Sequence, residues 1–382
     1  MIKAIFIILI AVLFASCNSS KEKNTTENFY DKLSEQMSIL EKKTANPTKV
    51  PRTITPDGEY RLVGYTDWTS GFSGGSYWYL YELTGDENWK EKAIENTLKT
   101  DSAKYMTSTH DLGFMVYCSY GNAYRTTGEN KYRDVIIQAS ESLITRFDPV
   151  TECIRSWDFN KWQYPVIIDN MMNLEMLFFA SKETGDPKYK DIAIKHANKT
   201  LANHFREDMS SYHLVDYDTI TGQAIKKQTH QGLRDDSSWA RGQAWGLYGY
   251  TLCYRETKDQ KYLDAAVKIA DYILSNLPED RISYWDYNDP KIPNTYRDAS
   301  AAAVTASALY ELSKYTNDKY FVQAEAIIKS LSSDKYLAAI GTNKGFLLKH
   351  SVGNYPANSE IDFPLNYADY YYLEALKRKR DY

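Results

Sequence analysis

Cysteine is scarce in this chain, with four among 382 residues. That is too few for a disulfide framework, and Cys118, Cys153 and Cys253 read as small buried hydrophobes. A charge excess of one sign is missing as well. Acids and bases are mixed throughout and sum to −4, so no basic footprint points to nucleic acid. The glycine-rich loop from Gly71 to Gly75 lacks the lysine and the spacing of a phosphate loop. No cluster of His, Cys and acids has metal-ligand spacing. The sequence thus calls for neither metal nor cofactor. Strand signals are few: Ser211 to Asp218 and Gly222 to Lys227 predict one small β-hairpin. What the chain has in plenty is aromatic side chains, 14% of residues, with 33 Tyr and 8 Trp. Such rings pack cores, and they also stack on sugar faces while their polar edges hydrogen-bond.

The N-terminus stands apart. Lys3 precedes an apolar run from Ala4 to Phe14 that is too short to span a membrane and matches an export signal. Leu13-Phe-Ala-Ser-Cys17 resembles the bacterial lipoprotein cleavage box, whose Cys becomes the lipidated first residue of the mature chain. Residues 1–17 are therefore expected to be a signal peptide, 18–27 a flexible polar tether, and 28–382 one folded domain. The lipid on Cys17 would be its only hold on a membrane. The expected location is the outer membrane or periplasm of a Gram-negative bacterium.

Beyond the tether the chain repeats itself. A turn begins at Thr84-Gly-Asp86, Thr127-Gly-Glu129, Thr184-Gly-Asp186, Thr257-Lys-Asp259 and Thr316-Asn-Asp318. Each follows an apolar helix and opens an amphipathic one. Gly or Asn at the second position supplies a left-handed residue that ends the first helix. The acid then caps the second helix, and an aromatic residue packs back across the turn. Five such hairpins are visible, and the helices Glu27 to Lys43 and Tyr367 to Lys379 can supply a sixth. Repeated hairpins must stack to bury their faces, and six can close into a ring. The expected fold is all-α: an (α/α)6 barrel with short turns on one rim, long loops and the small β-hairpin on the other.

Two carboxylates stand out. Asp169 precedes the apolar segment Met171 to Ala180, and Asp111 precedes Leu112-Gly-Phe-Met115 in the same manner. Each can be read as a helix cap or as half of an acid/base pair converging on one cavity. The long loops hold further candidates in Trp68, His110, His213 and Gln231. Trp239, Arg241 and Trp245 cluster at a helix start. They suit an anionic sugar, Arg for the carboxylate and Trp for the ring, or else a cation–π stack that holds the barrel together. His196 and His204 fall on an outer helix and read as structural.

Asp67-Trp-Thr-Ser-Gly-Phe, His110-Asp-Leu-Gly-Phe, Ile168-Asp-Asn-Met-Met-Asn-Leu, Ser238-Trp-Ala-Arg-Gly-Gln-Ala-Trp-Gly and Glu360-Ile-Asp-Phe-Pro-Leu-Asn-Tyr-Ala-Asp together resemble the unsaturated glucuronyl hydrolases, glycoside hydrolase family 88. The match runs in order from about residue 30 to the end. The resemblance implies catalytic roles for Asp111 and Asp169, and substrate contacts for Trp68, His110, His213, Gln231, Arg241 and Trp245, with Trp239 added. It implies as substrates unsaturated uronic-acid oligosaccharides, of glycosaminoglycan or ulvan type, handled by a monomer or homodimer. The loop Ser351 to Glu360, where some members contact a sulfate, has no Lys or Arg here. The rivals are a relative acting on unsaturated galacturonyl-rhamnose or ulvan fragments, and a carbohydrate-binding lipoprotein without catalysis.

Overall fold

The computed structural model describes residues 29–159, 161–316 and 318–382. The expected signal peptide, Cys17 and the tether lie outside the described residues. Helix α1 spans 29–44. It is followed by α2 (Ser70–Thr84), α3 (Glu87–Leu98), a π-helical stretch (Gly113–Gly121) running into α4 (Asn122–Thr127), and α5 (Asn130–Ile144). A 3-10 turn (Ile168–Asn173) leads into α6 (Leu174–Thr184). Then come α7 (Lys188–Asn203), α8 (Ala240–Thr257), α9 (Gln260–Asn276), α10 (Ala299–Ser313), α11 (Asp318–Leu331) and α12 (Asn366–Arg380).

Burial sorts these helices into two rings. Every residue of α10 is buried, as expected of an inner helix with neighbours all round. On α9 only one stripe is buried, Tyr262, Leu263, Ala265, Ala266, Ile269, Ala270 and Ile273. The inner elements α2, the π-helical stretch running into α4, α6, α8, α10 and α12 pack in succession, and α12 returns to α2. Helix α1 closes the outer ring. Its Gln36 Nε2 donates to Phe346 O (3.0 Å), and its Ser34 Oγ accepts from Trp89 Nε1 (2.7 Å). This is the (α/α)6 barrel that the repeats call for.

The threonine and left-handed parts of the turn motif work as their chemistry requires; of the acids, Asp86 and Asp259 cap the next helix, whereas Glu129 makes no side-chain cap bond. The hydroxyls of Thr84, Thr127, Thr184 and Thr257 each donate to the carbonyl four residues back. Each also accepts the amide two residues on, at 3.2 Å. Gly85, Gly128 and Gly185 sit at φ of 71–75°, the left-handed conformation that costs glycine least. Lys258 takes the same conformation at φ 57° without being glycine.

On the opposite rim the structure departs from the sequence reading in two ways. The stretch from Gly71 to Gly75, read as a loop, lies inside helix α2, which begins at Ser70, because its glycines serve a close helix contact. A Cβ on Gly71 would lie 2.2 Å from Phe114 O. The rim also holds more strand than the one hairpin expected. That hairpin is present as β6 (Leu214–Tyr217) and β7 (Ala224–Gln228), with β5 (Pro165–Ile167) added antiparallel to β6. Two further ribbons are β1 (Val50–Ile54) with β2 (Tyr60–Val63), and β8 (Ser351–Asn354) with β9 (Ser359–Phe363). β3 (Phe147–Asp148) and β4 (Cys153–Ile154) form a shorter pair.

Candidate active site

All six inner helices start at the long-loop rim, so their first turns face one opening. The π-helical stretch and the 3-10 turn before α6 are pressed together there. A Cβ on Gly113 would fall 2.6 Å from Asn173 Oδ1, and that oxygen accepts the Phe114 amide at 3.2 Å. Asp111 and Asp169, just ahead of these segments, are thereby brought to one end of the barrel. Neither caps its helix: no side-chain cap bond is present at either start. The cap reading of both carboxylates is therefore set aside by the geometry.

Their surroundings differ. Asp111 Oδ2 accepts from Thr109 Oγ1 at 2.6 Å, and Oδ1 lies 3.2 Å from His110 Nε2. Burial acts most strongly on this carboxyl and would raise its pKa. His110, the Thr109 hydroxyl and Arg146 outweigh it and hold the group below the ordinary carboxylate range. Asp169 is buried, and its Oδ2 has no hydrogen-bond partner among the described residues. The nearest basic group is His213 Nε2, 3.6 Å away. The Nδ1 of His213 accepts two backbone amides, from His230 (2.9 Å) and Gln231 (3.2 Å). That network assigns the neutral ring's proton to Nε2, the nitrogen facing Asp169. The arrangement offers one carboxylate kept charged and one with an oxygen left over for a proton or a ligand.

Above this pair opens a cleft of about 470 Å³, lined by Trp68, Asp111, Trp157, His230, Gln231 and Tyr367 among others. Trp68 packs edge-on against Phe114 and lies 4.9 Å from the Tyr367 ring. Its approach is set by Asp67, which accepts the Thr69 amide and hydroxyl and grips Arg52. Gln231 Nε2 reaches Gly353 O at 3.4 Å. His110 and His213 are buried beneath, and Trp239 stands 4.9 Å from the His213 ring. His196 and His204 are structural, as read: His196 Nδ1 accepts the Ile154 amide and His204 Nε2 meets Val166 O.

Two of the expected contact residues are held largely by the protein itself. Arg241, expected at the carboxylate of a substrate, engages neighbours through both terminal nitrogens, while its buried Nε has no partner among the described residues. Nη1 meets Asp298 Oδ2 (3.2 Å) and Val352 O, and Nη2 donates to Gly353 O (2.6 Å). The side chain is 1% exposed and lies over the Trp239 and Tyr367 rings. It fixes β8 as a wall of the cleft, which is the cation–π alternative. Trp245 is fully buried against Phe114 and Tyr371, and its Nε1 has no hydrogen-bond partner among the described residues.

Other cleft residues escaped the sequence reading. Arg52 and Arg61 come from the unforeseen β1–β2 ribbon, and both bind Glu360. Trp157, stacked on Phe159 and edge-on to His230, lies in an aromatic-rich loop whose composition could have flagged it.

No protein-family profile matches the chain. It is 45% identical to the unsaturated glucuronyl hydrolase of Formosa agariphila, over 99% of this chain and 98% of that protein. It is 36% identical to the unsaturated chondroitin disaccharide hydrolase of Streptococcus pneumoniae, over 86% and 85%. Among solved structures, an unsaturated glucuronyl hydrolase specific for heparin is 50% identical with a TM-score of 0.91, covering 93% of this chain and 97% of that one. A Streptococcus agalactiae variant bound to dGlcA-GalNAc6S is 32% identical, TM-score 0.79, covering 94% and 92%.

Proposed function

The chain belongs to the unsaturated glucuronyl hydrolases, and on that premise we propose which residues do its chemistry and in what order. It is a glycoside hydrolase that removes a 4,5-unsaturated uronic acid from oligosaccharides. Asp169 delivers a proton to C4 of the ring's C4=C5 enol ether, and the positive charge that develops at C5 is shared with the ring oxygen. Water adds at C5 and returns a proton to Asp169. The resulting hemiketal opens by breaking the bond from C5 to the ring oxygen, leaving a ketone. The hemiacetal at C1 then expels the next sugar's hydroxyl. Asp111, held charged, faces the developing cation, and Trp68 with Gln231 seats the ring.

One observation carries this reading: two carboxylates at neighbouring helix starts, one paired and one with an unclaimed buried oxygen. The test is the reaction in heavy water on a panel of lyase-generated disaccharides. One deuterium should enter at C4 of the released uronic product, and the enol-ether absorbance should vanish as reducing sugar appears. A product that keeps its double bond would mean cleavage at C1, with both Asp reassigned as a conventional glycosidase pair. We also propose that lipid on Cys17 anchors the enzyme at the outer membrane or periplasm. Cys17→Ala should move it from the detergent phase to the aqueous phase of an extraction, and partition of both forms into the aqueous phase would refute the anchor.

A further inference from the structure

The active-site cleft does not end at its mouth. Arg61, Ser359 and Glu360 line it and also line a second hollow of about 440 Å³. That hollow runs on between the β1–β2 ribbon and the β8–β9 ribbon, with Thr53, Thr55, Asn358 and Tyr296 on its walls. The two spaces meet across one ion pair, Arg61 Nη1 to Glu360 Oε1 at 3.1 Å. The Glu360 side chain is held down by Arg52, through Nε at 2.7 Å and Nη2 at 2.8 Å. Arg61 is 42% exposed and commits only Nη1 to Glu360 among the described residues, so its other donors face the passage.

Tyr296 is the second observation. It is 43% exposed, yet its ring is backed by others. It leans on Tyr355 at 6.0 Å and 52°, and Tyr355 stacks on buried Trp285 at 4.1 Å and 20°. Trp285 is itself fixed by its indole N–H to Asp289 Oδ2 at 2.7 Å, and its backbone amide donates to Tyr296 O. An aromatic face held rigid from below and open above loses little freedom when a flat ligand lands on it.

We propose that this hollow is an outer sugar-binding subsite for the reducing-end units of a longer oligosaccharide. Tyr296 is its stacking face, and Arg61 is a hydrogen-bond donor where the chain crosses from the cleft. The inference rests on the functional reading above, with the unsaturated uronic acid taken as the non-reducing end of the chain. With the unsaturated ring down beside Asp111 and Asp169, the rest of the chain must leave through the mouth, and the mouth leads here. The lining mixes hydroxyl, amide and charged groups with the Tyr296 ring and the apolar Ile54, Pro56, Ile361 and Phe363, a combination that suits the polar edges and flat faces of a sugar chain. The enzyme would then be tuned to fragments longer than the disaccharide.

The test compares kcat/KM for an unsaturated disaccharide and a tetrasaccharide of the same linkage. In the native enzyme the tetrasaccharide should be favoured, through a lower KM. Tyr296→Ala should cut that preference roughly three- to tenfold, the worth of one aromatic stacking contact. Tyr296→Phe, which keeps the face, should retain it. Because the readout is a ratio within one preparation, partial misfolding of a variant does not imitate the effect. Equal kcat/KM for the two lengths in the native enzyme would overturn the proposal without any variant, as would a ratio unmoved by Tyr296→Ala. Failure to cleave either substrate would strike the functional reading itself and not this subsite.

Discussion

The two rims of the barrel treat buried polarity in opposite ways. At the short-turn rim charges are buried but answered. Arg255 meets Glu311 (2.9 Å), Glu175 (2.5 Å) and Glu256 (2.7 Å). Glu374 accepts from Tyr79, Tyr248 and Ser307. The cavity of about 510 Å³ at that end is lined by this network. At the long-loop rim lie several buried atoms without hydrogen-bond partners among the described residues, Asp169 Oδ2, His213 Nε2, Arg241 Nε, Trp245 Nε1 and Tyr367 OH among them. A buried polar group left unbonded costs about 1–3 kcal/mol, and a protein keeps several together only where a ligand will meet them. Cavity size alone would have chosen the wrong end. Unmet hydrogen-bonding capacity chooses the other.

The strongest way to break this contrast is to remove the two carboxylates. Asp169→Asn and Asp111→Asn should each lower turnover on the order of a hundredfold to ten-thousandfold, the usual worth of a positioned acid or base. Melting temperature should hardly move, because neither side chain caps a helix. Were they structural, each change would cost about 1 kcal/mol of stability and leave turnover nearly intact. Initial rates and thermal melts on the same preparations separate the two outcomes.

Arg255→Met makes the reciprocal test at the other rim. It takes the shared guanidinium from Glu175 and Glu311, leaving Glu311 only Arg378 at 2.9 Å among the described residues. Unpairing a buried ion costs about 3–5 kcal/mol, and with a quarter of the arginine exposed we expect roughly 2–4. KM should not change. A variant that keeps its urea midpoint, or one that loses substrate affinity first, would show that the two ends are not separable as described.

Acid should attack the rims unequally. Burial pushes His196 down to about 3 and His204 to about 4. A histidine depressed in the folded state stabilises fully above its unfolded pKa, near 6.5, and that stability drains as pH falls towards the folded value. Between pH 7.5 and 5.5 the pair should cost about 2–3 kcal/mol together. Both hold backbone of the long-loop rim, Ile154 and Val166. Hydrogen exchange should therefore rise there before it rises at the short turns. Uniform loss of protection, or no loss by pH 5.5, would contradict this.

Much of this contrast could be read along the chain. The short-turn rim is local chemistry, a Thr, a left-handed residue and an acid within three positions, so each turn announces itself. Asp111 and Asp169 were legible because a carboxylate ahead of an apolar helix is a local oddity. The cleft wall was not legible. Arg52 and Glu360 meet across 308 positions, and strands of four or five residues with mixed burial carry no periodic signal. The surroundings of Arg241 were hidden for the same reason: its partner carbonyls at Val352 and Gly353 lie over a hundred positions away.

The smallest expected effect concerns a short turn that lacks the glycine of its siblings. Gly85, Gly128 and Gly185 occupy the left-handed position, but the fourth turn places Lys258 there. A side chain in that conformation costs about 1 kcal/mol relative to glycine. Against this, the Lys258 ammonium lies 5.4 Å from the Tyr254 ring and 4.9 Å from the Tyr315 ring, exposed contacts worth about 0.5 kcal/mol. Glycine also widens the unfolded ensemble, which removes part of any gain. The terms leave Lys258→Gly stabilising by about 0.5 kcal/mol at most, read as a small rise in urea midpoint with activity unchanged. Gly128→Lys, the reverse change at a sibling turn with a different set of neighbours, should destabilise by about 1 kcal/mol. If the two substitutions shift stability in the same direction, the turns are not equivalent, and the repeat would be a likeness of sequence without a shared energetic basis.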